Sequence, residues 1–201
     1  MDSPEGTEAP APEAPVPNTP RTGLDPWVRF TGLFAILAIA TEILYYAWIL
    51  GSPALDIYLS LLASVSGLIL NVVGQDVEVV GTSIWNGAFM VDIAPECDAI
   101  QLCTLLMSAI IAFPAQLGKK LIGLLIGLSW LQIVNFTRIA SLYFVGAHFA
   151  ESTFRNAHEV VWPVVLIIVT MLTWIAWARR LGDPLDVGRP ANSPSGNARS
   201  E

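Results

Sequence analysis

Acyl transfer needs a nucleophile, an acid or base, and a cation for the developing oxyanion. Cys97, His158 and Arg138 offer these three groups from separate apolar stretches of the 201-residue chain. Cys97 follows Pro95-Glu96 where an apolar run opens. At a helix start, free N–H groups and the helix dipole favour an anion, so this position is expected to lower the thiol pKa. Arg138 lies inside a later run, about eight residues from its end, which sets its Cα roughly 12 Å below that boundary. A charge at that depth requires water or a partner. Asn135, three residues earlier on the same helix face, is placed to orient the guanidinium or to hydrogen-bond a substrate. His158 opens the next run, and imidazole is the side chain best matched to proton transfer near neutral pH. Each residue also has a plainer reading: a buried inert thiol, a snorkelling arginine, a solvated interfacial histidine. Their common side of the membrane favours the chemical reading, and it holds whichever way the bundle is oriented.

Other polar residues carry less. Cys103, deeper among Leu102, Leu105 and Leu106, reads as an inert core thiol. His148 rivals His158 but has no motif around it. Glu42 in the first run reads as structural, paired with a charge in the bundle or neutral and hydrogen-bonded. Asp92, Glu96 and Asp98 are acidic residues beside a membrane surface, and the histidines lack zincin spacing, so no metal and no cofactor is required. Gly123 and Gly127 have the spacing that lets helices pack closely.

These residues have to be positioned by membrane helices. Hydrophobic residues make up 54% of the chain and charged ones only 13%, which excludes an ordinary soluble domain. The apolar residues are gathered into runs of about twenty, each long enough as a helix to cross roughly 30 Å of hydrocarbon. The fold class expected is an all-α polytopic membrane protein with about five transmembrane helices, near 30–50, 55–73, 99–117, 121–146 and 159–178. Gly51-Ser52-Pro53 predicts a tight hairpin between the first two. A short extracytoplasmic β-hairpin is expected at 76–93, around Asn86-Gly87. Residues 1–26 are Pro-rich and acidic and read as a disordered tail, 27–180 as the membrane-embedded domain, and 181–201 as a second, cytoplasmic disordered tail. Lys119-Lys120 and Arg179-Arg180 mark cytoplasmic ends. Alternation through five spans then predicts an outside N-terminus, against which Arg21 and Arg29 weigh. No basic stripe with interleaved aromatics is present, so nucleic acid is not expected as a partner.

Three short motifs together resemble the exosortase/archaeosortase family of membrane transpeptidases, nearest its exosortase H subgroup, over roughly residues 70 to 180. They are Ala94-Pro95-Glu96-Cys97-Asp98-Ala99, then Asn135-Phe136-Thr137-Arg138-Ile139, then Ala157-His158-Glu159. The resemblance implies a cysteine peptidase/transpeptidase of the inner membrane, with Cys97, Arg138 and His158 catalytic on the extracytoplasmic face. It implies as partners exported proteins whose C-terminal tails carry a recognition motif, a transmembrane helix and a basic cluster, besides membrane lipid and an envelope acceptor of unknown identity. The family usually follows its cysteine with a small polar residue and glycine, whereas Asp98-Ala99 stand here. That makes the backbone less permissive and adds a carboxylate that would raise the thiol pKa. A transporter or channel would also place Glu42, Gln132, Asn135 and Arg138 inside a bundle, but a repeat is missing and the spans are few.

Overall fold

In the computed structural model, residues 25–180 are described. The expected tails lie outside them, except that Asp25 and Pro26 already belong to the first helix. Pro26 occupies its first turn, where a missing N–H costs nothing, and Asp25 caps it by accepting from the Trp27 N–H at 3.0 Å.

That helix, α1 (Pro26–Leu44), runs through a π-helical turn (Tyr45–Ile49). Gly51 takes φ +75°, Ser52 caps and Pro53 opens α2 (Pro53–Val72). A three-stranded antiparallel meander follows: β1 (Glu78–Val80), β2 (Ser83–Trp85) and β3 (Met90–Asp92). Val79 pairs with Ile84 and Ile84 with Val91, and Ile84 is fully buried. The expected hairpin gains a strand because a second glycine turn, at Gly81 (φ +63°), precedes the one at Gly87 (φ +87°). In the latter turn the Asn86 side chain accepts from the N–H groups of Ala88 and Phe89.

Helix α3 (Ile100–Ala112) has 13 residues, a length of about 20 Å. The span expected over 99–117 therefore stops early. Pro114 disfavours helical backbone at Phe113, which is extended (φ −69°, ψ 136°). Helix α4 (Leu117–His148) is 32 residues long, and α5 (Glu151–Asn156) passes through a second π-helical turn (Ala157–Val161) into α6 (Trp162–Arg180). Four described helical stretches are long and apolar enough to cross a membrane, which with the small sheet makes a mostly helical polytopic membrane fold.

Side-chain contacts fix the directions. Phe30 meets Phe113 while Tyr45 bonds Asp98, so α1 lies antiparallel to α3. Asn135 bonds the Cys97 carbonyl and Gly127 faces Leu106, so α4 is also antiparallel to α3. Trp177 donates to the Lys119 carbonyl, so α6 descends along α4. The turn at 51–53 does not fold α2 back along α1 as a hairpin. Instead α2 advances beside the second half of α4, from Gln132 at Tyr58 to Phe136, Ala140 and Phe144 at Ile69. Its buried face, Leu55, Leu59, Leu62, Ala63 and Leu70, joins Ile84, Ile93, Cys97, Ile139 and Tyr143 in one core, whereas α1 itself buries none of its residues. A second core, Leu106, Ile110, Leu131 and Trp177, fills the opposite half.

The strict alternation behind an outside N-terminus is thereby overturned. Since α1 and α4 ascend in parallel, the start of α1 with Arg29 lies at the same end of the bundle as Lys119, Lys120 and Arg180.

Candidate active site

Asn135 and Arg138 project from one face of α4, 18 and 21 residues beyond Leu117 in the numbering. At 1.5 Å per residue they sit roughly 27 and 32 Å along the axis, about one hydrocarbon thickness from the basic end. There they hold the short 3₁₀ turn Pro95–Cys97. The Asn135 amide donates to the Cys97 carbonyl at 2.8 Å, and Arg138 Nη1 donates to the Glu96 carbonyl at 2.9 Å. Both side chains are buried, and Asn135 Oδ1 and Arg138 Nε have no partner among the described residues. Two unsatisfied polar atoms in so dry a place are costly unless something else engages them.

The Cys97 sulfur, in a residue 6% exposed, lies 3.6 Å from His158 Nε2. His158 belongs to the π-helical turn between α5 and α6, and its ring is stacked on Phe154 with planes 5° apart. Cys97, Arg138 and His158 thus come from a loop and two helices to one spot. His148 is elsewhere, its Nδ1 at 3.0 Å from the Phe144 carbonyl at the end of α4. Cys103 is half-buried within α3 beside the second core.

The expectation of a lowered thiol pKa at a helix start is corrected. Helix α3 begins three residues after Cys97, and the Cys97 N–H is already committed to the Ala94 carbonyl at 2.8 Å. Burial pushes the thiol up, the Arg138 charge and a backbone hydrogen bond from Ala94 to the sulfur pull it down, and Glu96 and Asp98 add smaller upward pushes.

Asp98-Ala99, the departure from the family pattern, has a definite structural role. Ala99 takes φ +58°, the left-handed conformation that glycine adopts most freely. The Asp98 carboxylate caps α3 by accepting from the Ile100 N–H at 2.7 Å, and it accepts from the Tyr45 hydroxyl at 2.7 Å. Burial raises its pKa, an effect those two bonds oppose. Tyr58 donates to the Asp98 carbonyl at 3.1 Å and receives a bond from Gln132 at 2.7 Å. Sequence reasoning missed Tyr45, Tyr58 and Phe154. An aromatic residue in a span reads as lipid-facing until its hydroxyl is seen to meet a partner.

The remaining candidates disperse. Asp92 accepts from Ser83 on the sheet while Asp98 faces α1, so the acidic residues near Cys97 do not converge. Glu42 accepts from the Gln101 amide at 3.2 Å, a neutral partner rather than a charge. Gly123 and Gly127 are closed over by Trp177, Leu106 and Thr173, as close helix packing requires.

Neither the curated proteins nor the solved structures contain a match to this chain. The family profile of the transmembrane exosortases matches residues 24–177, which takes in α1, all three motif segments and nearly all of α6. The chain belongs to the transmembrane exosortase family.

Proposed function

We propose that the chain is a cysteine-dependent protein-sorting transpeptidase or protease that cleaves C-terminal sorting signals of exported proteins. The observation that carries this reading is the 3.6 Å approach of the Cys97 sulfur to His158 Nε2, beside a buried arginine with an unpartnered nitrogen. A thiol whose pKa burial has raised is a poor nucleophile alone, so an adjacent base has to take its proton.

In the proposed sequence His158 accepts the Cys97 proton as sulfur bonds to the substrate carbonyl carbon. The oxyanion gathers the N–H groups of Arg138 not spent on the Glu96 carbonyl. His158 returns the proton to the departing amine, the C–N bond breaks, and a thioester remains on Cys97. An acceptor amine or hydroxyl, or water, then attacks that thioester while His158 removes its proton, and the thiol is restored. Asn135 acts earlier, holding the Cys97 carbonyl so that the sulfur faces the histidine.

Preference for Lys and Arg on the cytoplasmic side would put the end bearing Arg29, Lys119, Lys120, Arg179 and Arg180 inside. Cys97 then faces the export side at membrane depth. A substrate helix in the lipid would hold its flanking peptide bond there, and its placement would replace a bimolecular encounter.

Co-expression with a secreted protein bearing a candidate C-terminal signal tests the assignment. Cys97→Ser, His158→Ala and Arg138→Gln, at matched membrane levels, are each expected to lower processing by at least ~100-fold. Normal processing by Cys97→Ser would remove the nucleophile from the scheme.

A further inference from the structure

A second cavity, remote from Cys97, opens at the basic end of the bundle between the start of α1 and the link from α3 to α4. It measures about 460 Å³ and is lined by Arg29, Phe30, Leu33, Ile111, Phe113 and Lys120 among others. A recess of about 220 Å³ adjoins it, sharing Phe30 and Phe113 and adding Trp27. The cavity therefore joins two cations to an aromatic and aliphatic floor. Lys120 spends one N–H on the Ile111 carbonyl at 2.7 Å and keeps the others. The Arg29 guanidinium has no ion-pair partner among the described residues. The described acidic residue nearest in sequence, Asp25, is engaged in capping α1.

We propose that this cavity is a binding site for an anionic phospholipid of the leaflet at that end, its phosphate between Arg29 and Lys120 and its acyl chains along Phe30, Leu33 and Ile111. Charge complementarity selects an anion. The apolar lining selects a lipid over a soluble anion, because free phosphate would leave that lining wet. The surroundings agree: Trp27, which lines the adjoining recess, and Val28 and Leu117, close in sequence to lining residues, are 69%, 56% and 72% exposed, as residues bathed in lipid are. The bound lipid would tie α1, which buries none of its own residues, to the α3–α4 link. This site is independent of the proposed chemistry at Cys97.

The test uses the purified full-length protein in a zwitterionic detergent, titrated with phosphatidylglycerol or phosphatidylcholine and read by native mass spectrometry. Phosphatidylglycerol should be retained at least ~10-fold more tightly. Arg29→Gln and Lys120→Gln should each weaken it about 5-fold. Leu33→Trp, which fills the cavity without changing charge, should weaken it too. Equal retention of the two lipids would overturn the proposal. So would an equal loss in the Arg179→Gln/Arg180→Gln control, which would indicate a diffuse surface field, and so would displacement by millimolar inorganic phosphate, which would indicate a site for a soluble anion. If Lys120→Gln fails to fold because α3 loses its terminal bond, Arg29→Gln and Leu33→Trp still decide the matter.

Discussion

Burial and a neighbouring cation act on the Cys97 thiol in opposite directions, and burial prevails. The sign follows directly: the protonated thiol persists through neutral pH and the thiolate appears only as pH rises past the raised pKa. Mixed-disulfide formation at Cys97 with a small methanethiosulfonate, which releases sulfinate, should therefore inflect above the ~8.5 of free cysteine. Arg138→Gln removes the largest downward influence, so it should shift the inflection further up and slow labelling at pH 8. An inflection below the ordinary thiol range in the unmodified protein would contradict this account. That Cys97 and His158 lie near one another was legible in the sequence, because each stands at the edge of an apolar run and the two edges fall at one end of the bundle. The unpartnered Asn135 Oδ1 and Arg138 Nε were not, because satisfaction of a polar atom is a property of its neighbours.

The element that presents the sulfur is a strained link rather than a helix start. Ala99 in the left-handed region carries a steric penalty of about 1–2 kcal/mol, which glycine avoids. Asp98 offsets part of this by capping α3 and binding Tyr45. Ala99→Gly should raise stability by about 1 kcal/mol, read as an upward shift of thermal unfolding in detergent. A fall in the unfolding temperature would mean that the conformation is not strained. At this scale the sequence reading was uneven for physical reasons. Gly51, Ser52 and Pro53 carry turn and cap chemistry locally, Gly51 and Pro53 in the backbone and Ser52 in its side chain, so the break was legible although the direction of α2 after it was not. The end of α3 was written in Pro114 but outweighed by the apolar residues after it, since hydropathy averages over a window and a proline acts at one bond.

For the molecule as a whole, the direction of α2 decides the topology. Its buried face matches the sheet and the upper half of α4, so it climbs beside α4 rather than returning along α1. The start of α1 and the end of α6 then fall on one side. Reporter fusions at Met1 and Glu201 are expected to register the same compartment, and an insertion at the Gly81-Thr82 turn the opposite one. Different compartments for the two termini would refute this arrangement. The same geometry puts Arg29 with the other basic residues, removing the conflict that simple alternation created.

Composition and the length of the apolar runs were enough to determine a helical membrane protein, because hydrocarbon admits few ways of satisfying a backbone. The three motifs were enough to indicate the family. Only the tertiary structure decided that the Cys97 sulfur touches His158, that α2 is not a return crossing, and that Tyr45 secures the loop through Asp98. Hydropathy records whether a residue prefers lipid, which is a property of one side chain. Which helix a face packs against depends on the complementary face of another segment far away in the chain, and a single sequence does not display that match.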